Sequence, residues 1–215
     1  MPAGFPTRPR IATADDVKLF GGSPSLDFVN TVLWRGTSRA QDVLIDYAAL
    51  LRWSLRVGLV DPRHAGALER LADASPRSAA TAHRRAVAVR EGLHRAFRAV
   101  IEGQSPAPSD LDRLKHEFAE SLPPARLTPD DGTLRWTWQD REQALERPLW
   151  PLAHDALGLL LSDDATRLRR CAADECGWLF VDDSKNRSRR WCSMEGCGSR
   201  AKMRRHYARS RARQR

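Results

Sequence analysis

Long apolar runs are missing from this 215-residue chain. Nothing approaches the roughly 18 uninterrupted hydrophobic residues that a bilayer crossing needs, and 29% of the residues are charged, so a membrane span is excluded. No apolar secretory segment precedes residue 20, which predicts a chain kept in a reducing cytoplasm. Catalytic signatures are missing as well: there is no P-loop, no G-x-G-x-x-G, no H-E-x-x-H and no G-x-S-x-G. The six histidines, His64, His83, His94, His116, His154 and His206, are scattered without ligand spacing. His154 and Asp155 cannot form a dyad, because adjacent helical residues diverge by about 100°. An enzyme is not expected. Cysteine is scarce, with four in the chain and none before position 171, and acids nearly vanish after Asp183.

What the chain does have is concentrated at its end. The four cysteines fall as C-x4-C-G, a fifteen-residue span, and C-x4-C-G again: Cys171 and Cys176, then Cys192 and Cys197. Two short arches, each presenting two thiolates, suit one tetrahedral Zn2+. Gly177 and Gly198 follow the second cysteine of each arch, where a positive φ would let the backbone turn round the metal. Two disulfides are the rival arrangement, disfavoured in a reducing compartment. A redox role fits less well because neither pair is C-x-x-C. Four sulfur ligands close the coordination sphere, so the metal is expected to be structural. His206 could replace a ligand but falls on the helix predicted to follow.

Charge is segregated in the same region. From Ser184 to Arg215 there are twelve Lys/Arg against the single acid Glu195, a net +11, while the rest of the chain carries −2. A basic element on a metal-pinned knuckle is the footprint of a polyanion binder, although charge runs often only solvate a tail. Arg200/Arg204, Arg205/Arg209 and Arg209/Arg213 are like-charge pairs at i, i+4, each costing an isolated helix about 0.2–0.5 kcal/mol. Phosphates would relieve that repulsion. Lys185, Asn186, Arg187, Arg189 and Arg190 in the spacer, and Arg200, Lys202, Arg204 and Arg205 beyond the last cysteine, are the predicted nucleic-acid contacts. Asn186 and Arg200 are the candidates for reading base edges, since amide and guanidinium forks match them.

These residues carry a resemblance. Cys176-Gly177-Trp178-Leu179-Phe180, the run Asp183-Ser184-Lys185-Asn186-Arg187-Ser188-Arg189-Arg190-Trp191-Cys192-Ser193-Met194, and Cys197-Gly198-Ser199-Arg200-Ala201-Lys202 together resemble the CGNR zinc finger. The resemblance implies a bacterial DNA-binding protein that regulates transcription. The family's Cys-Gly-Asn-Arg stands here as Cys197-Gly198-Ser199-Arg200. Serine, like asparagine, caps helices well, so Ser199 is expected to cap the Gly- and Pro-free run that follows. A bidentate asparagine contact to adenine at this position is lost.

The remainder reads as helical. Ser23-Pro24 predicts a helix running to about Trp34, with Leu26, Val29 and Leu33 on one stripe and Asp27, Asn30 and Trp34 on another. The second stripe could line a ligand pocket. Alternatively, Asp27 sits at the positive helix end and Asn30 bonds a buried backbone group. This stretch also resembles the start of the ABATE domain, the helical partner of the CGNR finger, so the resemblance spans most of the chain.

Further helices are expected over Asp46 to Val57 with Gly58 as C-cap, from Asp61-Pro62 to Ala74, over Ser78 to Glu102, over Ser109 to Glu120, and from Trp150-Pro151 to Leu161. Ser162-Asp163-Asp164 caps a short helix leading into Cys171. Asp131-Gly132 between Arg126 and Trp138 marks a β-hairpin, whose Trp136 and Trp138 share a face that could cover the core or offer a stacking platform. Ile11 and Val17 suggest a short edge strand in an otherwise loose N-terminus.

The predicted fold is therefore mainly α: residues 1–165 form a helical domain with one hairpin, and residues 166–215 a small four-cysteine finger followed by a basic helix. Trp178, Phe180 and Trp191 would cluster behind the metal. The expected function is zinc-dependent DNA binding in transcription regulation, with a small-molecule effector sensed by the N-terminal domain as one further reading. RNA and an acidic protein partner stay open as alternatives. Two-fold DNA sites would suit a homodimer, though no heptad or interface stripe marks one.

Overall fold

The computed structural model describes residues 12–138 and 144–212 of the chain. Along these run α1 (Pro24–Val29), β1 (Val32–Leu33), β2 (Gln41–Asp42), α2 (Tyr47–Arg56), α3 (Pro62–Ala74), α4 (Pro76–Ile101), α5 (Pro108–Ser121), β3 (Ala125–Asp130), β4 (Thr133–Trp138), α6 (Leu149–Leu161), β5 (Leu168–Arg170), β6 (Leu179–Val181) and α7 (Ser199–Ala212). The strands pair in sequence order as three antiparallel ribbons, so the protein is mainly α.

Local chemistry explains most element ends. The Asp46 side chain accepts from the Ala49 N–H at 2.7 Å and Asp61 from the His64 N–H at 3.0 Å, each satisfying a donor that a helix start leaves orphaned. Gly58 closes α2 at φ +77°. In the β3–β4 turn Asp131 and Gly132 both take positive φ, +44° and +80°, as a two-residue hairpin with native twist demands. Val17 is buried beneath a turn and not in a strand; Ile11 lies outside the described residues.

The first helix departs from expectation. α1 stops at Val29, five residues short of Trp34, and the chain turns at Asn30 and Thr31 into β1. Thr31 and Val32 are β-branched and favour extended backbone, and the side chain of Asn30 is held by a distant strand, as described below. Ser23 stands at the N-cap with extended backbone, yet its hydroxyl does not cap. The oxygen comes from α6: Asp155 Oδ2 accepts from the Ser25 N–H at 2.8 Å and from the Ser23 hydroxyl at 2.6 Å. A carboxylate from another helix thus meets the positive end of α1.

Asp27, one turn in, is pushed up from 3.8 to about 6. Burial is the main cause, aided by the negative charge of Asp155 and opposed by backbone N–H donors at Gly21 and Phe20 and by Arg56. Because the folded-state value is raised, the contribution of Asp27 to stability is fully present below its unfolded value and is lost as pH rises through about 6. Asp27→Asn keeps an oxygen for the Gly21 N–H, 2.8 Å from Asp27 Oδ1. The variant is expected to be more stable than the parent above about pH 6, by roughly 1–3 kcal/mol, with the two converging towards about pH 4. Thermal melts across that range check it, and a stability difference independent of pH would contradict it.

The core is built round Trp53, Phe28 and Phe97, all fully buried, with the Phe28 and Trp53 rings 5.5 Å apart. Ion pairs brace its edges. Buried Arg90 on α4 reaches Asp42 on β2 through two bonds of 2.7 and 2.6 Å and also donates to the Thr31 hydroxyl. Arg85 on α4 holds the buried carboxylate of Glu117 on α5. On the opposite side, Trp136 and Trp138 of the hairpin and Phe118 of α5 enclose the His154 ring at centroid distances of 4.7, 5.2 and 4.5 Å. The hairpin face therefore covers the helical body, and Trp136 stays part exposed. His154 bonds Ser121 at 2.7 Å, while Asp155 points to α1, so the two neighbours serve separate elements.

The core does not stop at the cysteines. Leu179 and Phe180 are fully buried, Trp178 is nearly so, and Cys171, Cys192 and Cys197 belong to the same continuous cluster as the helical residues, with Cys176 packed against it.

Candidate metal centre and nucleic-acid interface

Two short ribbons of backbone bring the sulfurs together. In the first arch, the Cys171 N–H bonds the Trp178 carbonyl at 2.8 Å and the Cys176 N–H closes a turn on Ala173 at 3.0 Å. Gly177 then turns the chain at φ +74°, and a Cβ there would sit 3.0 Å from the Arg35 carbonyl. Glycine is required at that position for both conformation and space. The second arch is different: Met194–Gly198 makes a single wide π-type turn, and Gly198 keeps ordinary right-handed backbone instead of the positive φ expected. Its N–H bonds the Ser193 carbonyl at 3.0 Å, so this arch needs no left-handed residue.

The serine roles are also exchanged. Ser193 provides the cap, accepting from the Gly196 N–H at 3.1 Å. Ser199 lies inside the continuous helical run, and its hydroxyl donates back to the Met194 carbonyl at 3.0 Å. The expected N-cap has moved six residues upstream because the helix begins with the π turn.

The four sulfur atoms lie within 4.8 Å of one another, with Cys176–Cys192 at 3.6 Å and Cys192–Cys197 at 3.7 Å. Zinc at about 2.3 Å from four tetrahedral sulfurs sets them about 3.8 Å apart, so the cluster fits the ion. Without a cation, four sulfurs so close would not all ionise. Hydrogen bonds from its three partners hold Cys171 well below the usual thiol range, while donation to Cys171 pushes the thiols of Cys176 and Cys192 up. Zn2+ removes that conflict, and four cysteine ligands leave it no open position for substrate. Arg200 Nη2 lies 3.1 Å from Cys197 Sγ and offsets part of the negative charge of a zinc–thiolate centre.

Against this geometry, residues 22–163 match the ABATE family model, described as "Putative stress-induced transcription regulator". The chain belongs to the ABATE family. Residues 167–210 match the CGNR zinc finger, in the same order along the chain, and the four cysteines are its structural zinc site. Neither family is described as enzymatic. No curated protein matches the chain.

Finger and ABATE domain are joined by specific bonds. Asn30 Nδ2 donates to the Leu179 carbonyl at 2.8 Å and its Oδ1 accepts from the Leu179 N–H at 2.9 Å, so one buried amide completes the free edge of β6. Trp178 Nε1 reaches the Val32 carbonyl at 3.2 Å, and the Val181 N–H bonds the Gly21 carbonyl at 2.9 Å. Of the stripe Asp27, Asn30 and Trp34, the structure engages the first two in backbone bonds. Only Trp34 reaches a cleft, together with Phe20 and Trp178.

The spacer loop is shaped by one buried acid. Asp182 accepts from the Ser184 N–H at 3.0 Å, the Ser184 hydroxyl at 2.5 Å and the Arg189 N–H at 3.1 Å. Burial opposes its charge, but these bonds hold it below the usual carboxylate value. The loop so folded exposes Lys185, Asn186, Arg187 and Arg190, with Arg187 at φ +49°.

Arg189 behaves otherwise. Its guanidinium stacks on Phe180 at 4.4 Å and donates to the carbonyls of Cys192 at 2.7 Å and Phe20 at 3.1 Å. It ties the second arch to the N-terminal segment. Among the tryptophans, Trp191 sits under Arg190, whereas Trp178 and Phe180 face the ABATE domain. On α7, Arg200, Lys202, Arg204, Arg205 and Arg209 are all exposed. No ion pair involves them among the described residues.

Proposed function

We propose that this protein is a zinc-dependent DNA-binding transcription regulator of the cytoplasm, whose CGNR finger grips phosphates through Lys185, Asn186, Arg187 and Arg190 of the spacer loop and Arg200, Lys202, Arg204 and Arg205 of α7. One observation carries the reading. Every Lys and Arg of α7 from Arg200 to Arg209 is exposed and has no acid partner among the described residues, so its self-repulsion is left for an external polyanion to relieve. The proposed division is functional: residues 1–165 hold and adjust the finger, and residues 166–215 bind. Free cysteines clustered for a metal suit a reducing compartment. The closed thiolate centre supports a regulator over an enzyme.

Arg189 is left out of the phosphate contacts because its donors are spent on the fold. Arg200 meets both the thiolates and, through its remaining donors, the nucleic acid. Binding by two copies would suit a two-fold operator.

Binding of the zinc-loaded protein to duplex DNA, duplex RNA and single strands across a salt series tests the proposal. With about six phosphates neutralised, log K for duplex DNA is expected to fall with log salt at a slope near −5. Arg204→Ala with Arg205→Ala should make that slope shallower by about two and leave zinc content unchanged. Preference for RNA would replace DNA in the reading. No binding to any of the three at low salt would overturn it in favour of an acidic protein partner.

A further inference from the structure

A cleft of about 250 Å3 lies where the ABATE domain meets the finger. Phe20, Leu33, Trp34 and Trp178 supply its apolar walls, and the sulfurs' own residues Cys176, Cys192 and Cys197 its floor. Three cations rim it: Lys18 from the N-terminal segment, and Arg200 and Arg204 one turn apart on α7. Lys18 and Arg204 are exposed and make no hydrogen bond or ion pair among the described residues. Glu175, the acid of the rim, is directed to Arg39 at 3.5 Å.

Trp34 holds the second clue. Its backbone is at φ +49°, a conformation that a bulky residue adopts at a cost of order 1 kcal/mol, and Arg39 stacks on its ring at 5.0 Å. The strain keeps an indole at the cleft where glycine would sit more easily. Strain of this kind persists where surrounding structure enforces it and clusters at ligand clamps.

We propose that this cleft binds a small aromatic carboxylate, its ring among Trp34, Phe20 and Trp178 and its charge between Lys18 and Arg204. The walls favour a planar ring. The volume admits one ring system with a short polar arm and little more. A single negative charge matches the rim better than a phosphate dianion, because Arg200 gives one donor to the Cys197 sulfur and only Lys18 and Arg204 of the rim cations are without a partner among the described residues. The ligand would touch the ABATE domain and the first turns of α7 together, so occupancy would fix the helix relative to the body. That regulatory consequence rests on the nucleic-acid reading of α7; the binding itself does not.

Calorimetric titration of the zinc-loaded full chain with benzoate, with acetate and benzyl alcohol as probes lacking the ring and the charge, tests it. Saturable binding of benzoate, at least about tenfold weaker for acetate and for benzyl alcohol, is expected. The double variant Lys18→Ala, Arg204→Ala, both exposed positions, should weaken benzoate binding by about tenfold with Tm unchanged, while Arg205→Ala leaves it as it was. Absence of saturable benzoate binding, or binding indifferent to the double variant, would overturn the proposal. Duplex DNA binding is measured in parallel without benzoate, so a chain that binds benzoate and no DNA sinks only the nucleic-acid reading, and the converse sinks only the cleft.

Discussion

Removing zinc, by a strong chelator or by Cys192→Ser, is expected to unfold the finger and to lower the melting temperature of the ABATE domain in the same transition. Structural zinc contributes about 10–16 kcal/mol of binding free energy in small zinc-finger peptides, and a finger of this size has no other means of closing its arches. In this protein the loss would spread. The cysteines share a continuous apolar cluster with α1, β1 and α4, and Trp178, Leu179 and Phe180 are buried by residues of both parts. Loosening the arches would expose Trp178, Leu179 and Phe180 and orphan the Asn30 amide. Melting followed in parallel by far-ultraviolet circular dichroism and by tryptophan fluorescence distinguishes the cases. One cooperative transition that moves down on chelation is the expected result; an ABATE domain whose melting ignores the metal would contradict the shared core.

Asn30→Ala is expected to cost about 2–5 kcal/mol, large for the loss of one buried amide. The substitution leaves both the N–H and the carbonyl of Leu179 buried without a partner, since Asn30 serves the two at 2.9 and 2.8 Å. An unsatisfied buried group costs about 1–3 kcal/mol, and two arise here from a single side chain. Asn30→Asp should be no rescue, because a carboxylate can accept from the N–H but faces the carbonyl oxygen with a second oxygen. Chemical denaturation measures the cost, and a loss below about 1 kcal/mol would mean that water replaces the amide. The same variants should release zinc to a chelator faster than the parent, as the first arch loses its dock.

What was legible in the sequence was what is decided within a few residues. The doubled C-x4-C-G spacing located all four sulfurs, Asp46 and Asp61 announced two helix starts, and Asp131-Gly132 specified the hairpin turn. The departures from local expectation come from bonds that span the chain. Ser23 looked like a cap, but Asp155, 130 residues from Ser25, supplies the oxygen. α1 is shorter than its apolar stripe predicts, and the partner that holds Asn30 lies 149 residues away. The π turn moves the cap from Ser199 to Ser193 and leaves Gly198 outside the left-handed region. Arg189 could not be told from its neighbours by charge; only the carbonyls of Phe20 and Cys192 single it out.

The docking of β6 against Asn30 has a consequence for how the protein is made. Asn30 and Trp178's acceptor Val32 leave the ribosome long before their partners, which are separated from them by 149 and 146 residues. During synthesis α1 has its own apolar face available, while the amide meant for β6 waits in solvent. Contacts of such sequence separation form late, after the intervening loop entropy has been overcome. The edge of β6 can therefore be completed only once the finger has been translated and has captured its metal. A chain short of zinc at that moment would keep this edge open, and exposed apolar surface of that kind invites proteolysis.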